Sequence, residues 1–187
     1  MPSIRSFIAL PAAEAVRDKI VLHLKELIQL NADVRWELPE KFHITLKFLG
    51  NVEPQVLEKL TEALGTEATH HSSFDLVYQS FGAFPNFEKP RVVWVGTVDN
   101  NSVLALQKSV ERVCAEFGVA RDERVFHPHI TLGRVKGTRN IQRLTEKLKS
   151  ITLEPTMSRC TELLVMRSDL HPSGSVYSVA QSIPLKP

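Results

Sequence analysis

The tetrapeptide His-x-Thr-Leu occurs twice, as His43-Ile44-Thr45-Leu46 and as His129-Ile130-Thr131-Leu132, 86 residues apart. Apolar and β-branched neighbours make each copy read as a strand. Side chains alternate along a strand, so His43 and Thr45 share one face, as do His129 and Thr131. The Ile and Leu of each copy turn to the other face, towards a core. The same offset carries Arg5-Ser6-Phe7-Ile8-Ala9 onto Arg91-Val92-Val93-Trp94-Val95. It also carries the apolar positions Ile20, Leu24, Leu27 and Ile28 onto Leu106, Val110, Val113 and Cys114. Strand, helix and motif strand thus recur in one order at one spacing, which marks an internal duplication. After the motifs the register slips. The chain is constrained to two similar halves, each offering one imidazole and one hydroxyl.

Residues 3–10 read as a strand stopped by Pro11. Residues 12–29 read as a helix with Ile20, Val21, Leu24, Leu27 and Ile28 on one apolar stripe. A short strand follows at Val34–Trp36, then the first motif strand at 43–49, closed by Gly50-Asn51. Pro54 opens a helix that the sequence ends near Leu64-Gly65. Residues 74–81 and 91–98 read as strands around the turn-rich link 84–90. A helix spans 102–117, the second motif strand 129–135 and a short polar helix 139–148. Two strands, 159–168 and 175–182, close the chain as a hairpin around His171-Pro172-Ser173-Gly174.

Of the 187 residues, 43% are apolar and 24% charged, the balance of a globular chain with a sizeable core. The net charge of +2 does not by itself demand nucleic acid, so any anion binding must come from a local cluster. Cys114 sits on an apolar helical face and reads as core, and no Cys or His spacing suggests zinc. No signal peptide or membrane-spanning run is evident, so a reducing, cytoplasmic setting and no membrane partner are expected. Without an exposed heptad or long apolar patch, a monomer is expected.

Two histidines facing each other across a cleft suit phosphate-ester chemistry. In-line attack needs a base for the attacking water and an acid for the departing oxygen, and imidazole serves as either near neutral pH. Threonine hydroxyls can donate to the non-bridging oxygens, where charge must be held in the transition state. Neither motif carries a carboxylate or a second metal ligand, so the simplest expectation is a reaction with no metal and no cofactor.

Four segments extend the pattern: Arg5-Ser6-Phe7-Ile8-Ala9-Leu10, Phe42 through Gly50, Phe84-Pro85 with Pro90 through Trp94, and Pro128 through Arg134. With these flanks the chain resembles the RNA 2′,3′-cyclic phosphodiesterases, formerly named 2′-5′ RNA ligases, within the two-histidine phosphoesterases. The resemblance covers nearly the whole chain. It implies an α+β, bilobal, pseudo-two-fold fold, with antiparallel sheets around a central cleft and helices outside. Residues 1–187 would form one such domain, from approximate repeats 1–85 and 86–187 whose lobes can exchange terminal strands. It implies hydrolysis of a terminal 2′,3′-cyclic phosphate on RNA or an oligonucleotide to a 2′-phosphate. It implies His43 as proton donor and His129 as proton acceptor, roles that the symmetry of the motifs cannot assign. Thr45 and Thr131 would hold the phosphate.

Five further residues are possible substrate contacts. His127 can share the face of His129, although Lys41 takes the equivalent place in the first half. Arg134 could grip phosphate, but alternation places it opposite His129, and only a twist or strand end would bring it round. Arg91 either contacts substrate or braces the preceding loop. Phe48 and Phe84 could stack on a base, with core packing the expected role of both. His23, His70, His71 and His171 are expected at the surface. Three alternatives to this metal-free activity stand: 2′-5′ joining of tRNA halves as a minor activity, a cyclic-nucleotide-binding module without turnover, and a metal-dependent phosphatase.

Overall fold

The two motif strands lie side by side at the centre of one antiparallel sheet. The computed structural model describes residues 3–98, 100–172 and 174–187. Its strands are β1 (Ile4–Pro11), β2 (Val34–Trp36), β3 (His43–Val52), β4 (Phe74–Phe84), β5 (Val92–Thr97), β6 (His129–Val135), β7 (Thr156–Cys160), β8 (Glu162–His171) and β9 (Gly174–Pro184). Its α-helices are α1 (Glu14–Ile28), α2 (Pro54–Ala68), α3 (Asn101–Glu116) and α4 (Ile141–Ser150). The strand order is β7-β4-β5-β6-β3-β1-β8-β9, with β2 added on β6.

That order reads symmetrically outward from β6 and β3, with β5 matched by β1. The two central strands share one bridge, Ile44 to Ile130. These residues are repeat mates, and a residue paired with its own mate puts a local two-fold axis between the strands. Pairing between these two strands is confined to this one bridge.

Each motif strand then carries a bulge at the same place. In β3, Thr45 faces Ala9 and Lys47 faces Ile8, leaving Leu46 extra. In β6, Thr131 faces Trp94 and Gly133 faces Val93, leaving Leu132 extra. A bulge puts two residues against one and reverses the alternation beyond it. Burial records the reversal: Leu46-Lys47 and Leu132-Gly133 are consecutive buried pairs, followed by exposed Phe48 and Arg134. The pairing also corrects the alignment of the first strands. Ile8 is equivalent to Val93, not to Trp94, because the second repeat has one more residue between its paired positions.

The core is one contiguous apolar cluster. Val16, Ile20, Leu24 and Leu27 of α1 and Val103, Leu106, Val110, Val113 and Cys114 of α3 are buried in it. Ile28, placed on the stripe by periodicity, is 46% exposed at the helix end. Helix α2 runs past Gly65 to Ala68, since nothing crowds that glycine and Leu60, Leu64 and Ala68 continue the buried face.

The expected strand 159–168 is two strands. The chain changes partner at Thr161, from β4 to β1 on the far side of the sheet. The hairpin of β8 and β9 forms as expected, with His171 paired to Gly174, while Ser173 lies outside the described residues.

Lys47 is buried by the first bulge. Its ammonium donates to the Ala120 carbonyl at 2.7 Å and pairs with Glu111 at 2.9 Å and Asp122 at 3.7 Å. The equivalent place in β6 is Gly133, which β2 covers: a Cβ there would lie 2.6 Å from Val34 Cγ1.

Candidate active site

The bridge between Ile44 and Ile130 sets the four motif side chains. On the opposite face of those strands His43 stands across from Thr131, and Thr45 across from His129. The two imidazoles are held by duplicated tethers. His43 Nδ1 lies 2.6 Å from the Lys41 carbonyl, and His129 Nδ1 lies 2.6 Å from the His127 carbonyl. A carbonyl only accepts, so each Nδ1 carries the proton and donates, and each neutral ring keeps its lone pair on Nε2. The Thr45 hydroxyl donates to His43 Nε2 at 3.1 Å. The tether explains why Lys41 and His127 can occupy equivalent places: the backbone oxygen does the work, and either side chain is admitted.

Aromatic rings wall both histidines. Phe7 stacks on His43 with centroids 4.9 Å apart, and Tyr177 meets it edge-on at 5.6 Å. Phe84 meets His129 edge-on at 4.9 Å, and Trp94 stands at 6.2 Å. Gly82 and Gly96 leave the space over which the Trp94 indole lies. These walls set the proton affinities. Burial lowers His43 to about 4, against the Lys41 hydrogen bond and with help from the charge of His129. Burial also lowers His129, with His127 and Arg134 adding repulsion. At neutral pH both rings are therefore neutral.

Residues 13–172 match the 2′-5′ RNA ligase superfamily. The chain belongs to that superfamily. It is 32% identical over 176 residues to a Methanothermobacter thermautotrophicus protein named RNA 2′,3′-cyclic phosphodiesterase, covering 94% of this chain and 95% of the relative. An Archaeoglobus fulgidus protein of the same name is 33% identical over 174 residues, covering 92% and 96%. Among solved structures, the apo form of E. coli LigT superposes with a TM-score of 0.80 at 22% identity over all of both chains. The Thermus thermophilus protein TT0787 gives 0.81 at 25% identity over 98% of each. These neighbours share the α+β fold with its antiparallel sheet.

Within this superfamily fold, the bulges redistribute the other sequence-derived candidates. Arg134 does not stay on the face opposite His129; the bulge at Leu132 brings it round, and its charge acts on both His129 and Tyr177. Phe48 is not core but 56% exposed, because the bulge at Leu46 turns it outward. Both residues line a cavity of about 420 Å³ beside His43, together with Arg5, Phe7 and Tyr177. Phe84 packs between Trp94 and His129 as cleft wall. His127 is exposed, and its ring lies 6.2 Å from Phe84. The Arg91 backbone braces the sheet through bonds with Phe84 and Val135, while its side chain is exposed. Two histidines expected at the surface are partly buried: His71 bonds Ser109 on α3, and His23 packs on Phe81.

Sequence reasoning missed Phe7 and Tyr177. Phe7 was legible, since it lies in the duplicated first strand. Tyr177 was not, because it arrives from β9, after the register of the two halves is lost. Among the described residues no group of three or more His, Cys, Asp or Glu gathers as a metal site. No helix among them is long and apolar enough to cross a membrane.

The depressed affinity of His43 gives a stability prediction. The unfolded ring titrates near 6.5 and the folded one at about 4. Between these values the unfolded chain binds more protons, so unfolding free energy rises with pH and is lost on acidification from 6.5 towards 4. His43 should account for up to about 3 kcal/mol of that loss. Denaturant unfolding across this window should show a shallower slope in His43→Gln than in wild type; parallel slopes would contradict the assignment.

Proposed function

We propose that the chain is an RNA 2′,3′-cyclic phosphodiesterase that opens a terminal cyclic phosphate to a 2′-phosphate without a metal ion. The observation that carries this reading is the pair of imidazoles tethered through Nδ1 and brought to one face of adjacent strands by the Ile44–Ile130 bridge. The names of the relatives agree with the substrate.

In this mechanism His129 Nε2 takes a proton from water as the water oxygen attacks phosphorus. The bond from phosphorus to O3′ breaks, and His43 Nε2 gives its proton to O3′, leaving the phosphate on O2′. His43 must therefore be protonated when substrate is bound. Its empty-site affinity is too low for that, but a phosphate anion beside the ring favours the imidazolium and draws the proton in. Once Nε2 is protonated it no longer accepts from Thr45, whose hydroxyl is freed to donate to a non-bridging oxygen. Thr131 does the same from the other strand, and the Arg134 charge offsets the developing negative charge. A 5′-hydroxyl replacing water would run the step as 2′-5′ joining, the reaction named in the superfamily's description, and the far greater abundance of water would keep it a minor activity. Cys114 and Cys160, both buried free thiols, fit a reducing compartment such as the cytoplasm.

The test is an assay with excess chelator on a short RNA ending in a 2′,3′-cyclic phosphate, with products separated by phosphate position. The expected result is complete conversion to 2′-phosphate at the rate seen without chelator. A 3′-phosphate product, or activity restored only by a divalent ion, would overturn the proposal.

A further inference from the structure

The cavity beside His43 is a concentration of positive charge of which the proposed two-histidine chemistry uses only Arg134. Arg5, Arg35, Arg134, Lys136 and His171 line it, against the single carboxylate of Glu37. The whole chain carries a net charge of only +2, so the cluster is local. Among the described residues no ion pair engages Arg5, Arg134 or Lys136. Arg5, Arg134 and Lys136 converge on a concavity of about 420 Å³, in the size range of ligand pockets, which suits an anion.

Its position relative to the histidines says which anion. In-line displacement puts the attacking water and the departing O3′ on opposite sides of phosphorus. The ribose lies on the side of the acid. With His43 as acid, the sugar and everything attached through O5′ extend past His43. Phe7 and Tyr177, the rings packed on His43, also line the cavity, so it begins one ring away in that direction. His171, Gly174 and Ser175 also line it, and Gly174 at φ 135° lies close against the Arg35 guanidinium.

We propose that this cavity binds a phosphate carried on O5′ of the reacting nucleotide. The inference rests on the proposed phosphodiesterase reading.

The test compares kcat/KM on three substrates: a nucleoside 2′,3′-cyclic phosphate, the same compound with a 5′-phosphate, and a dinucleotide ending in the cyclic phosphate. The 5′-phosphate should raise kcat/KM at least about tenfold, the scale of one or two charge-assisted contacts. In the doubly substituted Lys136→Gln, Arg5→Gln protein that gain should fall below about threefold. Both side chains are exposed, so the variant is expected to fold, and its thermal unfolding checks this. An equal gain on the dinucleotide identifies a bridging RNA phosphate as the occupant; a gain on the monoester alone identifies a free 5′-end. No gain in wild type, or a gain that survives in the variant, overturns the proposal. If no cyclic substrate turns over, the phosphodiesterase reading fails separately. Calorimetry with a nucleoside 3′,5′-bisphosphate and the matching 3′-monophosphate then decides the cavity. Tighter binding of the bisphosphate that is lost in the variant supports it, and equal binding refutes it.

Discussion

Replacing His129 with Ala is expected to lower kcat on a cyclic-phosphate RNA by about 10²–10⁴, the usual contribution of a positioned proton-transfer group. His43→Ala should lose a similar factor. Neither loss should come from unfolding. The ring of each histidine is only partly buried, and its tether is a single hydrogen bond to a carbonyl exposed by its removal. Stability should therefore change little near neutral pH while turnover collapses. The double variant should be barely slower than either single one, since acid and base serve one transition state and their losses do not add. Steady-state kinetics with a matched thermal melt checks both statements, and either single variant within tenfold of wild type would contradict them.

Lys47→Met should destabilise the fold by about 3–5 kcal/mol, the cost of leaving a buried partner uncompensated. The Lys47 side chain is 2% exposed and that of Glu111 13%. Without the ammonium, Glu111 is left poorly solvated, and the Ala120 carbonyl loses its donor. For a chain of this size the melting temperature should drop by roughly 10 °C. Removing both charges should restore most of it, because an apolar pair of similar volume can replace a buried ion pair at little cost. The comparison of Lys47→Met with Lys47→Met, Glu111→Leu by denaturant unfolding separates these terms. A loss below about 1 kcal/mol in the single variant would mean that Lys47 reaches water.

The helices and most strands follow from periodicity, and the site's four central residues follow from one duplicated phrase. Alternation fails where the backbone adds a residue. It puts Phe48 and Arg134 on the wrong face, because a bulge leaves no mark in a single strand's pattern. It shows only in the folded chain, where both motifs place two buried residues in succession, Leu46-Lys47 and Leu132-Gly133, before the next outward one; a lysine and a glycine give no inward signal in the sequence. The partner switch at Thr161 could not be read, since residues 159–168 are strand-like on both sides of it. Nor could Tyr177, whose place against His43 depends on β8 pairing with β1 across the length of the chain. The tethers on His43 and His129 are silent for another reason: they use backbone carbonyls, so the side chains at 41 and 127 carry no trace of them.

The division of labour between the histidines is tested most directly by changing the leaving atom. In a cyclic substrate with sulfur in place of O3′, the departing thiolate needs no proton, so the acid becomes dispensable while the base does not. On this substrate His43→Ala should recover to within about tenfold of wild type, and His129→Ala should keep its full loss. Recovery of His129→Ala instead would reverse the two roles and remove the reason for placing the sugar beside the basic cavity. Full loss in both variants would contradict acid–base catalysis by this pair.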